Sequence, residues 1–141
     1  MLKRKYFFLV IIVIIGVIAI LLRFTPNHDS DVLIIEFPNN EILEITFDKI
    51  IEMEGVVFEN YDKPTLVKIV SIQQLLPEFD FIRLLFHSTD GAKVLIENET
   101  NILIALEKNN DQYTLRLIMP DDNFSQRWLK NVCRITVGIA E

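Results

Sequence analysis

What most restricts this chain is its opening, MLKRKYFFLVIIVIIGVIAILLRF, where Lys3, Arg4 and Lys5 precede an uncharged run from Tyr6 to Leu22 and Arg23 closes it. The run is 17 residues long, at the lower bound of the roughly 17–25 that cross about 30 Å of hydrocarbon as a helix. Tyr6 suits one interface and Arg23 can snorkel at the other. A cleaved secretory signal is the rival reading. However, the run exceeds the usual apolar region of about 7–15 residues, and Ala19 and Leu21 make a poor cleavage pair. No cysteine lies near the end of the run to carry a lipid. Three basic residues before the run and one after it predict a cytoplasmic N-terminus. The expectation is therefore a single-pass membrane anchor over residues 1–24, a polar linker over 25–31 in which Pro26 stops the helix, and an extracytoplasmic domain over 32–141.

Without the four basic residues of the anchor, ten Lys and Arg face 20 Asp and Glu, a formal charge of −10. Such a domain repels nucleic-acid phosphates and anionic headgroups, which excludes nucleic acid as the expected partner. The single cysteine, Cys133, excludes an intramolecular disulfide and a cysteine-built zinc site. Stability has to come from an apolar core.

Within the domain, VLIIEF predicts a strand and PNNE a turn. Thr46 is the expected N-cap of a short helix carrying Phe47, Ile50 and Ile51, with Gly55 as its stop. GVVF and TLVKIV predict strands, and Ser71 caps a short IQQLL helix. FIRLLFHS and AKVLIE are strands joined by a TDG turn. NETNILIALEK fits a helix with Ile102, Leu103 and Leu106 on one face. YTLRLIM alternates, with Tyr113, Leu115, Leu117 and Met119 together, and NVCRITV places Cys133, Ile135 and Val137 opposite Arg134 and Thr136. The predicted class is α+β, with short helices and a mixed, mainly antiparallel sheet.

The order of these pieces resembles the sulfite oxidase-like molybdopterin-binding domain family. The resemblance rests on Ser88–Gly91 (Ser-x-Asp-Gly), Ala105–Glu107 (Ala-x-Glu), Leu115–Pro120 and the basic/Trp/Lys turn from Arg127 into the strand ending at Val137. EITFDKIIEM and KIVSIQQLLPE match the family's first half more loosely. The resemblance implies that family's fold, and a pocket for the phosphate of a molybdopterin cofactor held by Arg116 and Lys130 with Arg127 and Trp128 beside them. That chemistry suits the residues: arginine offers phosphate a planar fork and lysine a point charge. Beside it stands a plainer reading, in which Arg116 is a solvated strand residue and Trp128 covers the core. One departure matters. The segment that supplies a molybdenum-binding thiolate in catalytic members, EGVVFENYDKP here, has no cysteine, and Cys133 belongs to an apolar strand face.

No other constellation carries chemistry. His28 and His87 lack partners for a metal site, His87, Ser88 and Asp90 are too close in sequence to align as a triad, and Asp121, Asp122 and Asn123 lack the spacing of a calcium loop. The function expected is a non-catalytic binding or interaction module for an anionic small molecule or a protein partner, with Arg116, Arg127 and Lys130 at the anion. Two alternatives stay open: a molybdopterin-dependent oxidoreductase or its subunit, and a structural partner in a membrane complex.

Overall fold

The computed structural model describes residues 2–24, 31–77 and 83–138. The chain divides into two compact units, Met1–Ser30 and Asp31–Glu141. In the first, α1 (Leu2–Phe24) is a helix of 23 residues with Ile12, Val13, Ile14 and Ile15 exposed. No helix among the described residues is long and apolar enough to cross a membrane. The uncharged stretch explains the shortfall: 17 residues at ~1.5 Å each reach only about 25 Å, against about 30 Å of hydrocarbon. The transmembrane helix and the single-pass cell-membrane location expected from the sequence are thus not supported. Of the expected linker, residues 25–30 lie outside the described residues.

The second unit is a mixed-sheet domain with short helices. Its elements are β1 (Val32–Glu36), β2 (Ile42–Thr46), α2 (Phe47–Glu52), β3 (Leu66–Ser71), α3 (Ile72–Leu75), β4 (Arg83–Ser88), β5 (Lys93–Glu97), β6 (Leu103–Asn109), β7 (Gln112–Ile118) and β8 (Val132–Gly138). One sheet has the order β2-β1-β8-β4-β5, and the other the order β3-β6-β7. The β1–β8 pair is parallel, and every other strand pair is antiparallel.

Local chemistry explains most of these boundaries. The Thr46 side chain accepts from the Lys49 N–H and starts α2. Ser71 and Gln74 form a reciprocal capping box that starts α3. Asn110 and Asp111 both adopt positive φ between paired Asn109 and Gln112, the two-residue hairpin turn whose twist matches that of the strands it joins. In the β4–β5 turn, Gly91 has φ +89° and the Asp90 carboxylate accepts the Ala92 N–H.

Three local expectations need correction. Residues 98–108 do not form a helix, because Leu103 to Asn109 are the central strand of the second sheet. Residues 55–58 form no strand; the segment meets β3 through the Val56 N–H bond to the Ile69 carbonyl, 2.8 Å. Gly55 is not the stop of α2, which is capped at Met53. Its role is close approach: with φ +77°, a Cβ there would lie 2.8 Å from Lys68 Cδ and 2.9 Å from the Ile69 oxygen.

Both sheets contribute to one core. Leu33, Ile35, Leu84, Phe86, Ile135 and Val137 come from the first, and Val70, Ile104, Leu106, Leu115 and Leu117 from the second. The second sheet also buries part of its other face, where Ile69, Leu103, Ala105 and Ile118 pack with Tyr61. The 54–66 segment and the 119–131 segment supply that cover, through Phe58, Tyr61 and Trp128.

Candidate functional site

The outer face of the second sheet changes character along its strands. Residues alternate across a strand, so Ile104 and Leu106 face the main core while Leu103, Ala105 and Glu107 face out. On β7, Leu115 and Leu117 face in, and Arg116 and Ile118 face out. The register sets Leu103 opposite Ile118, Ala105 opposite Arg116, and Glu107 opposite Thr114. One end of this face is consequently apolar and the other charged.

The apolar end is closed by aromatic rings. Trp128 meets Tyr61 edge-on at 5.7 Å and Phe58 at 6.4 Å, and its indole N–H donates to the Met119 carbonyl at 3.1 Å. Trp128 is thus a packing residue whose polar atom is satisfied.

The charged end holds a cavity of about 280 Å³, lined among others by Glu107, Asn109, Gln112, Arg116, Lys130 and Asn131. Arg116 and Lys130 are neighbours through a backbone bridge, reinforced by the Leu117 N–H bond to the Leu129 carbonyl at 2.8 Å. Asn131, at φ +56°, turns the chain from that bridge into β8. Arg116 Nε donates to Glu107 Oε1 at 3.2 Å, and both side chains are largely buried. Lys130 is exposed, and no ion pair to it is seen among the described residues.

A third cation joins them. Lys63 stands 5.0 Å above the Tyr61 ring, and its ammonium is held below the usual lysine range by burial, then by the positive charges of Arg116 and Lys130. The cavity wall itself carries two cations, Arg116 and Lys130, and one carboxylate, Glu107; Lys63 lies outside the lining. Asn109, Gln112 and Asn131 add side-chain amides, able to donate to an anion. The arrangement can hold a small anion.

Of the three site residues expected from the sequence, Arg116 and Lys130 come together. Arg127 does not line this cavity. It lies on the short 3-10 turn Ser125–Arg127, where its guanidinium engages Asp122 on one side and Glu99 on the other. Its pKa is raised by those two carboxylates, and the Asp122 carboxyl is held below its ordinary range by the Arg127 bond. Sequence reasoning missed Lys63, which sits in an irregular loop and belongs to no motif; its link to Arg116 and Lys130 exists only in the folded chain.

The thiol is elsewhere. Cys133 lies on β8 in the first sheet, where the register with β4 slips, and its Sγ–H points to the His87 carbonyl at 3.5 Å. His87 bonds Thr136 at 2.9 Å, and burial pushes its pKa down. No group of three or more His, Cys, Asp or Glu is placed to hold a metal among the described residues. The donor set of the cleft suits an anionic group, and it contains no soft ligand for molybdenum.

No protein-family model, curated protein or solved structure matches this chain. The sulfite oxidase-like relationship expected from the motifs therefore has no support from these comparisons.

Proposed function

We propose that this protein is a non-catalytic binding module that holds a small phosphate- or carboxylate-bearing molecule in the cleft lined by Arg116 and Lys130, with Lys63 nearby. The observation that carries the reading is the cavity itself, where Arg116 and Lys130, bridged through their backbones, stand with the side-chain amides of Asn109, Gln112 and Asn131, and the Lys63 ammonium adds positive charge nearby. A protein keeps like charges this close at a cost, and an anion placed between them relieves it. Arg116 is fixed by Glu107 and provides a rigid wall, whereas the exposed Lys130 can turn toward a ligand. The motif resemblance of Leu115–Pro120 and Arg127–Val137 nominates a pterin phosphate among such anions.

Pyrophosphate is a suitable probe, titrated calorimetrically into the full chain at low salt. Lys130→Ala should weaken binding by about tenfold or more, the loss of one charge-assisted contact. Binding should tighten as pH falls through the Lys63 pKa, since the bound anion favours the protonated amine. Equal affinity in the wild-type and Lys130→Ala proteins would remove the proposal.

A further inference from the structure

The outer strands of the two sheets are β2, β5, β3 and β7, and three of them are poorly suited to further pairing. Beside β3 the Val56 N–H already bonds the Ile69 carbonyl, and the strand's register slips between Leu66 and Lys68. Leu129 and Lys130 meet the edge of β7. β2 centres on Glu44, so an antiparallel copy centred there would set that carboxylate against itself. β5 differs from all three: no described residue outside β4 pairs with it through the backbone.

The phase of β5 is fixed by its turn. The Ser88 N–H bonds the Ala92 carbonyl at 2.9 Å, in line with the β4–β5 register. Bonded and non-bonded pairs alternate in an antiparallel ladder, so Val94 and Ile96 direct their backbone groups to β4, and Lys93, Leu95 and Glu97 direct theirs outward. The side chains of those three are exposed, Leu95 by 48%. Glu97 pairs with Arg83 at 2.8 Å, whereas Lys93 lies opposite His87 and has no ion pair among the described residues.

We propose that β5 is the interface with a second copy of this chain, pairing antiparallel about Leu95 to join two five-stranded sheets into one. The strand is self-complementary in that register. Lys93 falls opposite Glu97 of the other copy on one face, Val94 falls opposite Ile96 on the other, and Leu95 meets Leu95 at the centre. Lys93 thereby gains the counter-ion it lacks, and the outward backbone groups gain about six hydrogen bonds. None of these residues lines the anion cleft.

Sedimentation of the full chain over a concentration series tests this, together with residue-resolved amide exchange. A reversible dimer is expected, in which the amides of Lys93, Leu95 and Glu97 gain protection as concentration rises, while Val94 and Ile96 are protected throughout. Lys93→Glu leaves two acids on the strand and Glu97→Lys two bases; each should weaken self-association by about tenfold. An equimolar mixture of the two variants should restore it, because every acid then faces a base. Both positions are exposed, so both variants should fold. A chain still monomeric at about 1 mM would mean that the edge charges guard against pairing, and would overturn the proposal. So would a dimer indifferent to both substitutions, which would be joined through another surface, or a Leu95 amide whose exchange ignores concentration.

Discussion

The two faces of the three-stranded sheet are built from the same three strands and solve different problems. Its inner face presents Val70, Ile104, Leu106, Leu115 and Leu117 to a core completed by the five-stranded sheet. Its outer face is covered by two irregular segments and passes from the apolar Leu103–Ile118 pair to the charged Glu107 and Arg116. A regular partner can match an apolar surface everywhere, whereas irregular segments leave gaps, and the anion cleft lies beside them. The inner face therefore carries stability, and the outer face is where binding sites can form.

The largest expected effect follows from that division. Leu117 is fully buried on the inner face, so Leu117→Ala should cost about 2–5 kcal/mol, the transfer term plus the cavity left behind. Denaturant unfolding would show it as a lowered midpoint at constant slope. A cost below about 1 kcal/mol would mean that the inner face can collapse around the gap, and the contrast between faces would lose its basis.

A smaller loss is expected at the Arg127 turn. Arg127→Ala removes a half-exposed cation that holds Asp122 and Glu99, and pairs of this exposure are worth about 1 kcal/mol or less. The pH dependence has a definite sign. The folded-state pKa of Asp122 is depressed by Arg127, so the stability it brings is complete above the ordinary carboxylate range and is lost as pH falls through the folded value. Acid unfolding of Arg127→Ala should consequently be less steep in that range than that of the wild type. An unchanged acid profile would show that Arg127 does not anchor the turn.

The division between faces was only partly legible in the sequence. The alternation of Tyr113 to Met119 marks β7 correctly because one side of that strand is uniformly apolar. The Ser71 and Gln74 pair marks the start of α3, since a capping box is local chemistry. Residues 102–107 deceived for a physical reason. β6 is central and buried on both faces through Ala105, so Ile-Leu-Ile-Ala-Leu shows no alternation, and its leucines and alanine also favour helix. The cleft was legible in Arg116 and Lys130, which sit in adjoining motifs. Lys63 was not, because its place beside them depends on how an irregular loop crosses a folded sheet. Arg127 looked available in the sequence because Glu99, its partner, lies in a distant segment.

The smallest effect on stability tests the charged end of the outer face most directly. Lys130 is exposed, so Lys130→Ala should change the unfolding free energy by no more than about 0.5 kcal/mol. Its signature should appear at Lys63 instead. The folded pKa of Lys63 lies below its unfolded value, so the unfolded chain binds more protons between the two, and stability rises with pH across that window. Removing the Lys130 charge should move the Lys63 pKa back toward the ordinary lysine range and flatten that rise. Both can be followed by NMR titration of lysine side chains and by unfolding at alkaline pH. The shift should shrink in high salt, because exposed charges are screened over about 3 Å at 1 M ionic strength. If Lys63 titrates identically with and without Lys130, the two ammonium groups do not stand near each other; the charged end of the sheet would then be a set of separate surface residues, and the anion site would lose the nearby charge of Lys63.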